Sequence, residues 1–365
     1  MNLSIDRKQR PSQSDAIALL QRAVDEYGVE FIDTADAYAL GEDDMGYCER
    51  LIAGALQGER RERVVVATKG GFTRPGGAWK PDGRPEYLRR ACEKSLAALG
   101  TDRIDLYQLH RPDPAVPIEE SIGALVDLQR EGKIRHIGVS NVSLEQLKTA
   151  MGVTEISSIQ NPLSFPFYDE SRGTLLTFCE EHGITYIAYA PVGGHRNASM
   201  LAEFDEWIAE NIDAAGIPVH QLALAWLLRL SPATLPIPAT TNPGHLARNM
   251  RAGDIPLASD DVEKLKHARS WRNDVEEALA AGDLEKEIAA MRKGLSFAPE
   301  SGVIWYDLSC ALIKAGRLTE GFDALESAIG NGFNHLEHVR SDEDFAAVRD
   351  EPRFQAALDR MAAIS

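Results

Sequence analysis

Short apolar runs, many of them β-branched, alternate along the first two thirds of the chain with longer segments of helical periodicity. The runs predict seven strands, namely Val29–Asp33, Val64–Lys69, Ile104–His110, His136–Ser140, Ile156–Gln160, Thr185–Tyr189 and Leu235–Pro238. Between them, segments such as Ile118–Glu131 repeat apolar residues at helical spacing. Strands that alternate with helices predict βαβ units and a parallel sheet. Their span is close to the roughly 250 residues of a (β/α)8 TIM barrel.

A closed barrel of this type needs an eighth strand, because an open edge leaves backbone groups unpaired. Only Asn2–Ile5 precedes the first predicted helix, and it is short for a strand. Two alternatives remain, a minimal first strand or a barrel that is open at this position. We therefore predict an α/β fold over residues 1–267, a (β/α)8 barrel with its first strand short or missing.

After about residue 267 the strand runs stop and a repeat of 34 residues begins. It relates Trp271 to Trp305, Ala281–Gly282 to Ala315–Gly316, and Leu284 to Leu318. This pattern resembles the tetratricopeptide repeat over about 268–301 and 302–335, although Glu287 and Gly321 occupy positions where that family prefers alanine. The remaining segment predicts a capping helix. We expect an all-α second domain over residues 268–365.

Composition narrows the range of partners. The net charge of −17 argues against nucleic acid and against an anionic membrane surface. Cys48, Cys92, Cys179 and Cys310 are far apart and form no CxxC pair, which predicts neither a disulfide framework nor a zinc site and fits a reducing compartment. No run approaches the roughly 20 apolar residues of a membrane span. We therefore expect a cytoplasmic protein without a bound metal.

Polar residues stand at the carboxyl ends of the predicted strands, where the loops of a parallel barrel converge. Asp33 and Tyr38 follow the first strand, Lys69 ends the second and His110 the third. Taken singly, these residues have ordinary interpretations: a helix cap, a packing aromatic, a solvated lysine and a structural histidine. Their occurrence at the same end of successive units favours a catalytic site. We interpret Asp36 as a residue whose side chain stabilises the turn after the first strand.

Several motifs resemble, in order and spacing, those of the aldo-keto reductases over about residues 14–267. They are DTADAY, VATKG, DLYQLHRPDP, GKIRHIGVSN, QNPLS, AYAPVG and IPATTNPGHLARN. The resemblance implies a barrel that binds NADPH and a catalytic tetrad of Asp33, Tyr38, Lys69 and His110.

Reduction of a carbonyl needs a hydride and a proton. No side chain supplies a hydride, so it would come from a nicotinamide. Tyr38 would donate the proton, and we expect Lys69 to lower its pKa from the usual value of about 10. Asp33 would hold Lys69 as an ion pair, and His110 would orient the carbonyl.

The same resemblance implies a set of cofactor-binding residues. Ser140, Asn141 and Gln160 would bind the nicotinamide carboxamide, and their hydroxyl and amide groups suit an amide partner. Tyr189 would stack on the ring, unless it is simply an aromatic residue of the barrel rim. The pyrophosphate would meet the backbone of Ala190, Pro191, Val192 and Gly193.

The adenosine end would meet the loop after the seventh strand, at Thr240, Thr241, His245, Arg248 and Asn249. Arg248 is the only full cation of this loop, and His245 stands where an arginine is frequent in the family. The resemblance implies NADPH as the cofactor, and because this loop has few cations for the 2′-phosphate, NADH is the alternative.

The leading hypothesis is an NAD(P)H-dependent reductase of small aldehydes or ketones. Trp79, after the glycine-rich GGFTRPGG, would line the substrate pocket or cover the barrel rim. The alternative is a catalytically weak nicotinamide-binding barrel that acts as a regulatory or interaction protein, with a protein partner bound through residues 268–365. Potassium-channel beta subunits resemble this barrel family and illustrate such a role. In a third hypothesis the repeats only pack on the barrel, fill the open position beside the short first strand and so stabilise the fold.

Overall fold

A seven-stranded parallel sheet organises the first two thirds of the protein. The structure, a computed structural model, describes residues 10–165, 168–194, 198–213, 216–268 and 271–364. The strands are β1 (Phe31–Asp33), β2 (Val65–Gly70), β3 (Phe72–Thr73), β4 (Lys80–Pro81), β5 (Ile104–Leu109), β6 (Ile134–Ser140), β7 (Ser158–Pro162), β8 (Thr185–Tyr189) and β9 (Thr234–Pro236). The main sheet has the order β1-β2-β5-β6-β7-β8-β9, and β3 pairs with β4 in a separate hairpin. All seven predicted strands are confirmed as members of the main sheet.

The register of this sheet brings the predicted site residues into line. Lys69 on β2 lies opposite Gln108 on β5, and Ser140 on β6 lies opposite Gln160 on β7. Successive pairs along the sheet are parallel, so their carboxyl ends share one edge. This curled sheet is the coarse architecture that the sequence predicts.

The eighth strand is the one part of the barrel prediction that this sheet does not contain. Within the described residues, β1 and β9 are the two edge strands of the main sheet. Asn2–Ile5, the candidate first strand, lies outside the described residues.

Helices connect the strands and continue to the carboxyl end of the chain. They are α1 (Gln13–Asp25), α2 (Tyr47–Ala55), α3 (Glu59–Glu62), α4 (Pro85–Leu99), α5 (Ile118–Arg130), α6 (Leu144–Met151), α7 (Glu170–Glu181), α8 (Asp205–Asn211), α9 (Val219–Leu230), α10 (Pro243–Met250), α11 (Ser259–Leu265), α12 (Trp271–Ala281), α13 (Leu284–Phe297), α14 (Gly302–Lys314), α15 (Leu318–Gly330), α16 (Leu336–Ser341) and α17 (Pro352–Ile364). At α6, for example, the local sequence explains where the helix begins, because Ser143 and Gln146 form a capping box. Along α5 the buried residues Ile122, Leu125 and Leu128 follow helical spacing, as predicted. None of the helices in the described part of the chain combines the length and apolar character that a bilayer span requires.

The chain folds as two units. The first comprises Met1–Ala198 and Ala214–Lys266, and the second comprises Ser199–Asp213 and His267–Ser365. The sequence placed Ser199–Asp213 within residues 1–267, whereas in the structure this segment belongs to the helical unit. The domain boundary between residues 267 and 268 stays a prediction.

The second unit is built from helices that pack on their neighbours in sequence, α12 on α13, α13 on α14 and α14 on α15. Two glycines allow this close packing. A Cβ at Gly294 would meet the Trp271 ring at 2.7 Å, and a Cβ at Gly321 would meet Ile313 at 2.6 Å. Side chains at these positions would therefore push the helices apart. The two tryptophans of the 34-residue period are not equivalent, since Trp271 is buried while Trp305 is half-buried and donates to the Pro299 carbonyl at 2.7 Å.

Candidate active site

Lys69 is the centre of the predicted tetrad. Its side chain is fully buried, and its Nζ lies 2.6 Å from Asp33 Oδ2. The ammonium group also donates to the Thr34 carbonyl at 2.8 Å and to Tyr38 Oη at 3.4 Å. These three acceptors match the three protons of an ammonium group. The end of β1 and the turn that follows it therefore fix the position of the Lys69 charge.

Two glutamines hold the other oxygen of Asp33. Gln160 Nε2 donates to Asp33 Oδ1 at 2.8 Å, and Gln108 Nε2 donates to the same atom at 3.3 Å. Gln160 was predicted only as a ligand of the carboxamide, and Gln108 was not predicted at all. Strand alternation could have identified Gln108, because a residue two positions before His110 points to the same face of the sheet.

His110 lies in a cluster of rings beside Tyr38. Its ring centroid is 5.7 Å from that of Tyr38, 4.8 Å from that of Phe72 and 5.9 Å from that of Trp79. Among the described residues, His110 Nδ1 has no hydrogen-bond partner. The structure thus brings together Tyr38, Lys69 and His110 with Asp33, as the sequence predicted for a shared strand edge.

Trp79 forms one wall of the same cluster. It lies 6.4 Å from Tyr38 between ring centroids, and 41% of its surface remains exposed. The guanidinium of Arg74 stacks 4.0 Å from the Trp79 ring and donates to the Ala37 carbonyl at 3.1 Å. Sequence reasoning missed both Phe72 and Arg74, because their proximity depends on the path of the β3–β4 hairpin.

The electrostatics of the site differ from the expectation in one respect. Burial raises the pKa of Tyr38 well above its ordinary value, and the Asp33 carboxylate adds to the rise. The expected net lowering of this pKa by Lys69 is therefore wrong, because removal from water disfavours tyrosinate more strongly. Burial also lowers the pKa of Lys69, although pairing with Asp33 opposes that shift. The pKa of His110 is held well below its ordinary value, first by burial and then by the Lys69 charge.

Asp36 and Glu49 form a second set of carboxyl groups behind Lys69. Asp36 lies in a turn, as predicted. Its side chain is buried, however, whereas the side chain of an ordinary turn residue faces solvent. Burial raises its pKa well above the usual range, and neighbouring Glu49 adds to this rise. Glu49 is itself buried and accepts a hydrogen bond from the Thr68 hydroxyl at 2.6 Å. Burial raises the pKa of Glu49 as well, so both carboxyl groups near the Lys69 charge hold their protons more tightly than exposed acids do.

The residues predicted for the carboxamide form one hydrogen-bonded group at the ends of β6, β7 and β8. Asn141 Nδ2 donates to Ser140 Oγ and to the His110 carbonyl, each at 3.0 Å. Tyr189 Oη donates to Asn141 Oδ1 at 2.8 Å, and Asn141 adopts a positive φ of 60°. Hydroxyl and amide groups gathered beside the tetrad fit an amide ligand.

A tight turn follows this group at the end of β8. Ala190 has a φ of 51°, a left-handed conformation that is rare for a residue with a Cβ, and Gly193 has a φ of 82°. The Gly193 amide donates to the Ala190 carbonyl at 2.9 Å across Pro191 and Val192. Unusual backbone conformations of this kind concentrate at ligand sites.

The residues predicted for the adenosine end lie on the loop after β9 and on α10. Asn242 caps α10 by accepting from the amides of Gly244 at 2.7 Å and His245 at 3.3 Å. Thr241, His245 and Arg248 are exposed, whereas Thr240 and Asn249 are half-buried. These side chains therefore lie on a largely solvent-exposed surface that includes the amino terminus of α10.

Comparisons with known proteins agree with this geometry. The model of the aldo/keto reductase family matches residues 1–270. An uncharacterized oxidoreductase of Schizosaccharomyces pombe is 34% identical over 256 residues, which cover 70% of this chain and 79% of that protein. A probable aldo-keto reductase of Glycine max is 32% identical over 282 residues, covering 70% and 80% of the two chains. The crystal structure of an aldo-keto reductase from Klebsiella pneumoniae in complex with NADPH is 30% identical, covers 70% of this chain and 84% of its own, and has a TM-score of 0.56.

Proposed function

The chain belongs to the aldo/keto reductase family, and on this premise we propose that it reduces aldehyde or ketone carbonyls to alcohols with a nicotinamide cofactor. The observation that carries the proposal is the contact of the buried Lys69–Asp33 pair with Tyr38, beside His110. Burial of paired charges at a strand end is costly and is typical of active sites.

Tyr38 is the proton donor in this proposal. Its raised pKa keeps the hydroxyl protonated at neutral pH, so the proton is available to the carbonyl oxygen. When bound, the nicotinamide supplies the hydride. The Lys69 charge, 3.4 Å from Tyr38 Oη, stabilises the tyrosinate that forms as the proton leaves.

His110 orients the substrate. Its lowered pKa keeps the imidazole neutral at physiological pH, so it adds a hydrogen-bonding group beside Tyr38 without a second positive charge. Trp79 and Phe72 complete an aromatic wall that suits an apolar substrate surface. This wall supports a small carbonyl compound as the substrate.

The cofactor residues retain the roles that the family resemblance implies. Ser140, Asn141 and Gln160 would bind the carboxamide, Tyr189 would stack on the ring, and the Ala190–Gly193 turn would approach the pyrophosphate. At the adenosine end, His245 is exposed in the first turn of α10, where a helix amino terminus favours a phosphate group, and Arg248 is an exposed cation in the last turn of the same helix. We therefore propose NADPH as the preferred cofactor and NADH as the alternative.

We also propose that residues 268–365 form a tetratricopeptide-like domain that follows the barrel of residues 1–267 in the sequence. The packing of α12 on α13 and of α14 on α15 supports two helix-pair repeats, with α17 as the capping helix. Stacked helix pairs of this kind offer surfaces to protein partners. The four cysteines, all within the described residues, are buried and form no disulfide with one another, which supports a reducing compartment such as the cytoplasm.

The alternative of a catalytically weak regulatory barrel has no support from the relatives, which are oxidoreductases by description. Turnover decides between the two functions. We expect the purified chain to consume NADPH only when an aldehyde or ketone is present, with one alcohol formed for each NADPH lost. A fluorescence titration with NADPH and with NADH should show tighter binding of NADPH. Saturable cofactor binding without any carbonyl-dependent turnover would contradict the proposed reductase.

A further inference from the structure

The Asp33 carboxylate is held from three different strands. Lys69 on β2 binds its Oδ2, whereas Gln108 on β5 and Gln160 on β7 both donate to its Oδ1. The side chain of Asp33 is 3% exposed, so water does not compete for these bonds. The donors on Oδ1 therefore determine the direction in which Oδ2 presents its charge to Lys69.

Gln108 is dedicated to this contact. Its Oε1 has no hydrogen-bond partner among the described residues. The side chain is therefore held by the hydrogen bond from its Nε2 to Asp33 Oδ1. Gly138 on the neighbouring strand leaves room for it, because a Cβ at that position would meet Gln108 Cγ at 2.9 Å. A buried glutamine with an unsatisfied carbonyl is costly, and a role in holding Asp33 accounts for its presence.

Gln160 cannot be assigned to Asp33 alone, because the proposed function also gives it to the carboxamide. A glutamine amide has two N–H donors and one carbonyl acceptor, so Gln160 can divide its hydrogen bonds between two partners. The proposed function gives Gln108 no such second partner. It is the donor that stays with Asp33 whatever Gln160 binds.

We propose that Gln108 is a positioning residue for carbonyl reduction, because it fixes the Asp33 rotamer that keeps the Lys69 charge beside Tyr38. The inference rests on the proposed function and assigns it a residue that does not touch substrate or cofactor. Loss of this donor should let Asp33 rotate and so weaken the contact between Lys69 and Tyr38. A misplaced catalytic group of this kind costs roughly 10- to 100-fold in rate.

The test compares Gln108→Met with Ser158→Ala in the full chain. Methionine keeps the length of the side chain and removes the donor. Ser158 is a matched control because it is buried beside Gly138, and its hydroxyl has no partner among the described residues. We expect Gln108→Met to lower kcat about 10- to 100-fold, while KM and the Kd for NADPH stay within about twofold of wild type. Ser158→Ala should leave all three unchanged.

The pH dependence separates positioning from a general packing defect. The groups around Lys69 and Tyr38 are Asp33, Asp36, Glu49, His110, Cys48 and Tyr189, and Gln108→Met alters none of them chemically. Asp33 raises the pKa of both Lys69 and Tyr38, so a displaced Asp33 should move the basic limb of the kcat profile to lower pH. A second variant, Gln108→Glu, places a carboxyl group that can donate to Asp33 only when protonated. Its activity should therefore rise as the pH falls.

Two outcomes would overturn the proposal. One is a kcat and pH profile for Gln108→Met that match those of Ser158→Ala. The other is a Gln108→Glu variant whose activity, relative to wild type, does not depend on pH. This second outcome tests the proposal even if the methionine variant does not fold. An ultraviolet difference titration of Tyr38, measured against Tyr38→Phe, needs no turnover. It should show that Tyr38 ionises at lower pH in Gln108→Met than in wild type, even if wild type reduces no carbonyl. Failure of the positioning role can therefore be distinguished from failure of the proposed function.

Discussion

An ion pair from each unit of this protein shows two different environments for charged side chains. In the first unit, Asp33 and Lys69 form an ion pair with side chains 3% and 0% exposed. In the second unit, Arg353 pairs with Asp323 and Glu326, and these three side chains are 40%, 63% and 49% exposed. Exposed pairs contribute little free energy, whereas a buried pair needs many further hydrogen bonds to be tolerated. The contrast indicates that loss of the buried Asp33–Lys69 pair should cost far more free energy of unfolding than loss of the exposed Arg353 pairs.

Breaking the buried pair should produce the largest effect on stability. Lys69→Met would leave the Asp33 carboxylate buried without its counter-ion, which costs about 3–5 kcal/mol of unfolding free energy. The double variant Lys69→Met with Asp33→Leu should recover much of this loss, because no unpaired charge remains. Urea denaturation of both variants measures the difference. Equal stability of the single variant and wild type would show that the pair is not buried as described.

Overpacking should break the second unit without affecting the chemistry of the first. Gly321→Ala places a Cβ about where it would meet Ile313 at 2.6 Å, and such overpacking costs about 1–3 kcal/mol. Gly330→Ala is the matched control on the same helix, because a Cβ there meets nothing within 4 Å. Thermal unfolding should show a lower melting temperature for Gly321→Ala only, with the KM for NADPH unchanged. A change in that KM would contradict the separation of roles.

The buried acids behind Lys69 should give the first unit a characteristic pH dependence. Burial raises the pKa of Glu49, so the folded state holds its proton more tightly than the unfolded chain does. This contribution to stability is complete below the ordinary glutamate value of about 4.3 and is lost as the pH rises through the folded value. Glu49→Gln removes the titration and keeps an oxygen for Thr68. Its stability relative to wild type should therefore increase with pH, as denaturation at several pH values can measure.

The smallest effect should come from the exposed pair of the second unit. Arg353→Ala removes contacts to Asp323 and Glu326 and should cost less than about 1 kcal/mol, since exposed pairs rarely contribute more. The remaining effect should shrink further at high salt. A loss as large as that of Lys69→Met would show that exposure does not separate the two kinds of pair, and the comparison of the units would fail.

Much of the first unit could be predicted because its pattern is local. Thr185–Tyr189 was predicted with the bounds it has in the structure, and Val29–Asp33 was predicted two residues too early at its start. The four residues of the tetrad meet because parallel strands end at one edge, a property that follows from topology alone. Sequence motifs were therefore sufficient to predict that these four side chains lie together; their catalytic role stays a prediction.

The missed features all depend on what surrounds a group in three dimensions. Gln108 binds Asp33 from a strand 75 residues later in the chain; strand alternation predicts the face on which Gln108 lies but not this hydrogen bond. The raised pKa of Tyr38 and the buried state of Asp36 follow from desolvation, which depends on packing from several elements. The placement of Ser199–Asp213 in the helical unit is equally non-local.

The central claim is that Tyr38, next to the buried Lys69–Asp33 pair, donates the proton in carbonyl reduction. The most direct measurement is the turnover of an aldehyde with NADPH by wild type, Tyr38→Phe and Tyr107→Phe. Tyr107 is a fully buried control whose hydroxyl has no partner among the described residues. The account predicts a loss of about 10²- to 10⁴-fold for Tyr38→Phe and near wild-type turnover for Tyr107→Phe. Unchanged turnover in Tyr38→Phe, from protein that still binds NADPH, would contradict it.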